Sequence, residues 1–349
     1  MRAIAVFLLL LNLSRIHAQE SVTVSQLEDF VFSRQTAKES DAELAHRLGS
    51  IQLSEQLNDV RLARLVAKAQ PGPQTEEQLG LLAWTSVFEA PPLSDLLSVA
   101  APDAATQLQI VDAARAYATS VAHQSPNFIA TRATQMFNSL PRSADQVHNK
   151  PQLELRFAGE HRHEVTYRSG HEAASATTTA AADIEGLTTW GEFGPILTTV
   201  LGDSSLGTTE WSRWEVGANG KLLAVFHYEV PKSASHDLID LCCYLSFHET
   251  PAYHGDLSID PATGTILQPT LDADLESGAS VRVSKISVRY GSVEIGGKTY
   301  ICPVRGVAVG VLYDQLEKRD GFGLERFVNV VHFTGYHKFG STARILASQ

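Results

Sequence analysis

The sequence predicts an α+β protein in which an N-terminal helical segment precedes an antiparallel β-sheet packed on helices. Apolar residues recur with a helical period between residues 40 and 121, and with a period of two after Pro126. The segments after Pro126 are short and are joined by turns rather than long helices, which favours antiparallel pairing over βαβ units. These two observations place the helices first along the chain and the sheet second.

The first eighteen residues have the pattern of a secretory signal peptide. Arg2 gives a positive start, Ala3–Leu13 is an apolar run, and Ala18 is the small residue expected before a cleavage site. The run is too short to cross a hydrocarbon core of ~30 Å as a helix, so we expect cleavage rather than anchoring. We therefore expect an exported protein, periplasmic or secreted, with no transmembrane anchor in its mature chain. The predicted divisions are a signal peptide at 1–18, a helical segment at 19–100 and the sheet domain at 101–349.

The acidic composition excludes one large class of partners. The net charge is −11, and loss of Arg2 and Arg15 with the signal peptide lowers it to −13. Lysine and arginine residues form no basic tract in the sequence. We expect no nucleic-acid binding, because neutralisation of phosphates by Lys and Arg supplies most of that affinity.

Two capping boxes mark helix starts in the N-terminal half. Ser40 is followed by Glu43, and Thr75 is followed by Gln78, so each pair can satisfy unpaired amide donors at a helix end. A further helix begins near Asp103, with Ile110, Ala114, Tyr117 and Val121 on one face. Short amphipathic helices need a partner surface, so we expect these helices to pack on one another or on the sheet.

Two turns between predicted strands can be explained by the backbone angles that their residues allow. Within Asp260–Gly264 the proline presets φ, and Gly264 can take a positive φ. A Gly-Gly pair at 296–297 marks a second hairpin. A short helix is predicted at Gly194–Leu201, with Gly202 ending it as a left-handed cap.

The three cysteines are all in the C-terminal half, and export favours a disulfide. Cys242 and Cys243 are adjacent, so on a strand only one of them can readily face Cys302. A strained bridge between the adjacent pair is the alternative. The sequence leaves the pairing open.

The order of elements in the second half suggests a family. A predicted helix runs into Ser125–Arg132, a Gly-x-Leu-x-Ile-Asp-Pro-x-Thr-Gly hairpin occupies Gly255–Gly264, and a late strand contains Gly335–Phe339. This order resembles the half-barrel superfamily of outer-membrane lipoprotein carriers, from about Asp103 to Leu346. The chain also looks like exported bacterial proteins of uncharacterised role that share Trp190–Pro195 and the adjacent cysteines. The resemblance implies a curved antiparallel half-barrel with an apolar concave side for acyl chains, and no site residue of the carriers maps onto this chain.

Aromatic residues are the candidate ligand-lining groups. Trp190 and Phe193 flank Glu192 and could close one mouth of a concave sheet, although a helix-entry turn explains the same residues. Trp211 and Trp214 are three positions apart and face opposite sides of a regular strand, so we expect one of them in the core. Aromatic residues are in general more often core than ligand-lining. The predicted ligand-binding residues are Trp190, Phe193, Trp211, Trp214, Phe226 and Tyr228.

Two patterns are candidate catalytic sites. His161 and His163 share a strand face and could chelate one metal ion. A metal site also needs a third ligand close in space, so we favour a solvated, polar strand end as their explanation. Gly202–Ser205 is similar to the surroundings of a nucleophilic serine, although a helix end accounts for it. The sequence contains no GxSxG, phosphate-binding glycine loop or HExxH. We therefore expect no cofactor and no metal, and we favour a protein that is not an enzyme.

The leading hypothesis is an exported, non-enzymatic protein that binds an apolar or amphipathic ligand, a lipid or a lipidated peptide, in a half-barrel cavity. One alternative is an envelope module whose helices at 40–90 dock a partner protein. The other alternative is a metal-dependent hydrolase that uses His161 and His163.

Overall fold

The computed structural model describes residues 21–36, 38–124, 127–139, 155–168, 171–173, 187, 195–217, 220–241, 247–313 and 324–338. The predicted signal peptide and the Trp190–Pro195 motif up to Gly194 lie outside the described residues. The helices are α1 (Val24–Thr36), α2 (Asp41–Leu48), α3 (Asp59–Ala69), α4 (Pro73–Thr85), α5 (Ala104–Gln124) and α6 (Pro195–Ser204). Within the described residues, no helix has both the length and the apolar character needed to cross a membrane.

The strands occupy most of the second half of the chain. They are β1 (Ser21–Val22), β2 (Gln52–Leu53), β3 (Phe128–Asn138), β4 (Arg156–Arg168), β5 (His171–Ala173), β6 (Thr208–Val216), β7 (Leu222–Val230), β8 (Ile239–Leu241), β9 (Phe247–Glu249), β10 (Ala252–Ile259), β11 (Ile266–Asp274), β12 (Val281–Ile295), β13 (Lys298–Tyr313) and β14 (Leu324–Lys338). Single 3-10 turns lie at Ser86–Phe88, Leu93–Asp95 and Lys232–Ala234.

Ten of these strands form one antiparallel sheet in the order β5-β4-β3-β14-β13-β12-β11-β10-β7-β6. Every pairing within it is antiparallel, and β5 and β6 are its two edges, so the sheet does not close on itself. The predicted α+β class and the antiparallel sheet packed on helices are confirmed, and an open sheet of this kind is consistent with a curved half-barrel.

One face of the sheet, called here the α5 face, carries Ala224, Phe226, Leu257 and Val288. These residues are buried together with Ile110 and Ala114 of α5 and with Leu197, Val200 and Leu201 of α6. Tyr228 is fully buried in the same layer, and its hydroxyl donates to the Thr270 carbonyl at 2.6 Å. The apolar side chains at alternate positions of Leu222–Val230, which the sequence predicts, therefore form part of a packed core beneath two helices.

The opposite face, called here the α4 face, is partly covered by the N-terminal helices. These helices have a core of their own, built around Leu27, Leu48, Leu57 and Leu79. Leu81 of α4 joins buried valines of β13 and β14 (Val307, Val309, Val328 and Val330), with Trp84, Val87 and Phe88 packed at the margin. Both faces of β13 and β14 therefore contribute buried side chains where α4 covers the sheet.

The two predicted capping boxes have different outcomes. At α2 the box is present, because the Ser40 hydroxyl accepts from the Glu43 amide and the Glu43 carboxylate accepts from the Ser40 amide. At Thr75 it is wrong, since α4 begins two residues earlier at Pro73. The carboxylate of Asp41 accepts from the backbone N–H of Gln74 and Thr75 instead, at 3.0 and 2.9 Å. A side chain at the start of α2 therefore caps α4.

The predicted hairpin turns are confirmed. Gly264 has φ of +70°, and Gly296 and Gly297 have φ of +60° and +79°. The predicted helix end at Gly202 is wrong. The helix continues through Gly202 to Ser204, and Gly202 is not among the residues with positive φ.

The expectation that Trp211 and Trp214 face opposite sides is also wrong. Trp211 pairs with Phe226 and Trp214 with Ala224, and a register shift between Trp211 and Arg213 makes Ser212 an extra residue. The extra residue of this β-bulge shifts the alternation of side chains by one position. Both indoles therefore lie on the α5 face. Their ring centroids are 4.9 Å apart at an interplanar angle of 69°.

Candidate functional site

A cavity of about 560 Å³, called here the trough, lies between the α4 face of the sheet and the N-terminal helices. Residues of the neighbouring strands β13, β12, β11, β10, β7 and β6 form its floor. Five strand spacings of ~4.8 Å give it a length of about 24 Å. Gln56–Val60 and the α4 end form its roof. Its volume is typical of sites for small molecules, which are about 300–1,000 Å³.

The middle of the trough is apolar. Its floor contains Val216, Leu223, Leu267, Ile301, Val304 and Val307, and its roof contains Leu57, Val60, Ala83, Trp84 and Val87. Contact with these side chains would remove an apolar chain from water, which is favourable by about 25 cal/mol for each Å² buried.

Charged side chains lie at both ends of the trough. At the β6–β7 end, Lys221 Nζ is 3.7 Å from Asp260 Oδ2. Glu215 lies 3.3 Å from Arg213. Burial raises the pKa of the Glu215 carboxyl above its ordinary value, and Arg213 opposes that rise. The charges at this end are therefore compensated by partners of opposite sign.

The β12–β13 end of the trough has two arginines. Arg289 forms an ion pair with Asp59, the first residue of α3, and its Nε donates to the Gln268 side chain at 3.2 Å. Arg305 lies directly opposite Arg289 in the register of β12 and β13. Its guanidinium carbon is 4.8 Å from the ring centroid of Trp84. This end is lined by more positive than negative charge.

A smaller recess of about 240 Å³ adjoins the trough and shares five lining residues with it, Gln56, Asn58, Val60, Glu215 and Val216. Arg61, Arg64 and Trp214 contribute to its wall. The Arg61 guanidinium is held by Glu28 and Asp95, at 2.8 and 2.9 Å, so its charge is already paired.

The predicted aromatic residues lie mainly on the other face. Phe226 and Tyr228 are buried in the core under α5 and α6, and Trp211 and Trp214 pack against the same core. None of these four residues lines the trough, and Trp214 lines the smaller recess. Trp190 and Phe193 lie outside the described residues.

Cys302 carries a free thiol, so the predicted bridge to it is absent from the described part of the chain. Its side chain is buried among residues of the sheet such as Ile295, Val331 and Phe333, which separates it from surface segments. Burial raises the pKa of the thiol to about 12. Cys242 and Cys243 lie outside the described residues.

His161 and His163 are exposed on β4 and share a face, as their spacing predicts, since they pair with Thr134 and Arg132. The described residues contain no group of three or more metal-ligating side chains around them or elsewhere.

The Gly202–Ser205 segment belongs to a polar cluster built on a buried carboxylate. The side chain of Asp203 is only 5% exposed, and it accepts from the backbone N–H of His236 at 2.8 Å and from the Tyr253 hydroxyl at 2.8 Å. Its other oxygen is 2.7 Å from Nδ1 of His236. Ser204 and Ser205 donate their hydroxyls to carbonyls one turn back, so they close the helix end.

Asp237 gives this cluster a predicted pH dependence. Burial, and then the neighbouring Asp203, raise the pKa of Asp237 from 3.8 to about 6. Its Oδ2 is buried and has no hydrogen-bond partner in the described part of the chain. Because the folded state favours the protonated form, the free energy of unfolding should fall as pH rises from about 4 to about 6. A shift of about two pKa units is worth on the order of 2–3 kcal/mol.

We expect Asp237→Asn to remove this decline and to be more stable than the wild type at pH 7. The measurement is urea unfolding by tryptophan fluorescence at several pH values between 4 and 7. Asp240→Asn is the matched control, because that side chain is 65% exposed. Parallel stability curves for the wild type and Asp237→Asn would contradict the prediction.

Sequence reasoning missed Asp203, Asp237 and Arg305 as members of polar clusters. For Arg305 a signal exists, since it is the one charged residue in the mostly apolar stretch 299–313. Comparison with known proteins adds no assignment: no protein-family model, no curated protein and no solved structure matches this chain.

Proposed function

We propose that this chain is an exported, non-enzymatic protein that binds an amphipathic ligand, a lipid or a lipidated peptide, in the trough. The observation that carries the proposal is the trough itself, which crosses six strands and has an apolar middle between charged ends. Export is supported by the signal-peptide pattern of residues 1–18.

The position of the proposed site differs from the sequence-based expectation. The aromatic residues predicted to line a ligand site are packed under α5 and α6, where the protein's own side chains fill the space. The trough lies on the opposite face, and the N-terminal helices form its roof. Those helices therefore have a role in the proposed site as well as in packing.

The test is binding of N-phenyl-1-naphthylamine, a neutral fluorophore whose emission rises in apolar surroundings. We expect saturable binding at one site per chain. Leu267→Trp should weaken it roughly tenfold, a cost of about 1.4 kcal/mol, because the larger side chain fills the middle of the trough. Native mass spectrometry of protein purified from its own envelope then identifies any ligand that remains bound.

Leu222→Trp is the matched control, since Leu222 is 39% exposed and does not line the trough. It should bind the fluorophore as the wild type does. Absence of saturable binding, or equal binding by Leu267→Trp and the wild type, would overturn the proposed function.

A further inference from the structure

Arg305 is a partly buried cation that forms no ion pair with any described residue. Its Nε atom is buried and makes no hydrogen bond within the part of the chain that the structure describes. Burial of a charge is costly unless the charge is paired, so an arginine in this state is unusual unless something else neutralises it.

The neighbours of Arg305 on the sheet increase this cost. Arg289 faces it from β12 and His332 faces it from β14, so three basic side chains form a row across three strands. Like charges directly opposite one another destabilise a sheet. Burial and Arg289 lower the pKa of Arg305, and Asp59 opposes that effect. Burial and Arg305 lower the pKa of His332, and Glu160 opposes that effect.

The carboxylates near this row already form ion pairs with other arginines. Asp59 pairs with Arg289, and Glu160 pairs with Arg162. At the other end of the trough, Lys221 and Asp260 compensate each other. Among the described charges of the trough, Arg305 is therefore the cation that has no ion pair of its own, and Asp59, which already pairs with Arg289, acts on it only from a distance.

Arg305 is held in a defined position by Trp84. The guanidinium lies over the indole ring at 4.8 Å, and the ring of His332 meets the same indole at 5.6 Å in an edge-to-face arrangement. A cation–π contact of this kind restrains a guanidinium while its N–H groups remain able to donate, and a planar fork of donors suits carboxylate and phosphate oxygens.

We propose that Arg305 binds the anionic head group of the ligand, a carboxylate or a phosphate, while the acyl chain lies across the strands in the apolar middle of the trough. This inference rests on the proposed function and adds the charge and the orientation of the ligand. The head group lies at the β12–β13 end, and the far end of the chain points towards β6.

The experiment compares three ligands that share a twelve-carbon chain: dodecanoate, dodecyl phosphate and dodecanol. Each displaces the neutral fluorophore from the wild type, from Arg305→Gln and from Arg305→Lys. We expect the wild type to bind the anions roughly tenfold to a hundredfold more tightly than dodecanol, as for a charge-assisted hydrogen-bonded pair. Arg305→Gln should reduce this preference to about twofold, with dodecanol binding unchanged, and Arg305→Lys should keep part of it.

The control is Lys285→Gln, which removes a cation from the same sheet face outside the trough, where Lys285 pairs with Asp272 at 2.7 Å. It should retain the full preference for anions. Arg305→Gln should also be at least as stable as the wild type without ligand, because it removes an uncompensated charge. If Arg305→Gln does not fold, the reduced preference of Arg305→Lys tests the proposal by itself.

The outcomes separate the two proposals. If none of the three ligands displaces the fluorophore, the proposed function is overturned. If all three bind the wild type equally, or if Arg305→Gln keeps the preference for anions, the role of Arg305 is overturned and the proposed function stands. A preference between dodecanoate and dodecyl phosphate tells which acidic head group the site takes.

Discussion

We expect Gly255→Ala to lose about 3–5 kcal/mol of unfolding free energy, enough to unfold a marginally stable domain. Gly255 lies in the central strand β10, between β7 and β11. A Cβ atom at this position would lie 1.9 Å from the Thr270 carbonyl oxygen and 2.7 Å from its carbon. Both obstacles are backbone atoms of the neighbouring strand, so relief requires the strands to separate.

The same substitution would disturb a buried hydrogen bond. The Tyr228 side chain passes over Gly255 to donate to the Thr270 carbonyl, and the added Cβ would lie 2.9 Å from the tyrosine oxygen. Displacement of the hydroxyl would leave a buried polar group unsatisfied, which costs about 1–3 kcal/mol. This loss adds to the cost of forcing the strands apart.

Urea unfolding measures the effect, and Gly202→Ala is its matched control. Gly202 is exposed within α6, and a Cβ there would meet nothing within 4 Å. Alanine in a helix interior is favoured over glycine by about 1 kcal/mol, so the control should be slightly stabilised. A Gly255→Ala variant as stable as the wild type would show that the β10–β11 spacing differs from the structure.

The second large effect is expected at Asp203. Replacement of Asp203 by alanine should cost about 3 kcal/mol, because hydrogen bonds to a charged group are worth about 1.5–3 kcal/mol each and Tyr253 would keep a buried hydroxyl without its acceptor. Relief of repulsion with Asp237 offsets part of this loss. The variant should therefore also unfold with a weaker dependence on pH between 4 and 6.

Two further variants divide the effect among the contacts of Asp203. Tyr253→Phe removes only the buried donor and should cost about 1–2 kcal/mol. His236→Ala removes a side chain that is 76% exposed and should cost less than about 1 kcal/mol. If His236→Ala were as damaging as Asp203→Ala, the histidine rather than the tyrosine would hold the cluster together.

Local features of the fold could be predicted where a short stretch of sequence contains the whole physical cause. Gly264 and the 296–297 pair take positive φ because the turns between their strands demand it, and this demand is visible in the residues themselves. Ser40 and Glu43 cap α2 reciprocally over three residues, so the sequence contains both partners. The antiparallel sheet follows from alternation and short connections.

Other features depend on partners far along the chain. Asp41 caps α4 from thirty-three residues away in sequence, which no local pattern reveals. The bulge at Ser212 reverses the expected phase of Trp214, because strand register is set by the neighbouring strand and not by the strand itself. The helix expected to stop at Gly202 continues, and its last turn buries Asp203 against Tyr253.

The candidate site also combines features that are local in sequence with contacts between distant residues. By itself the sequence determined a helical segment, an antiparallel sheet and an apolar residue at every second strand position, because these follow from the periods of the backbone. Only the tertiary structure decided which sheet face has room beneath the N-terminal helices and which side chains meet there. Arg305, Trp84 and Arg289 come together through strand pairing and helix packing, and contacts of this range cannot be read from spacing along the chain.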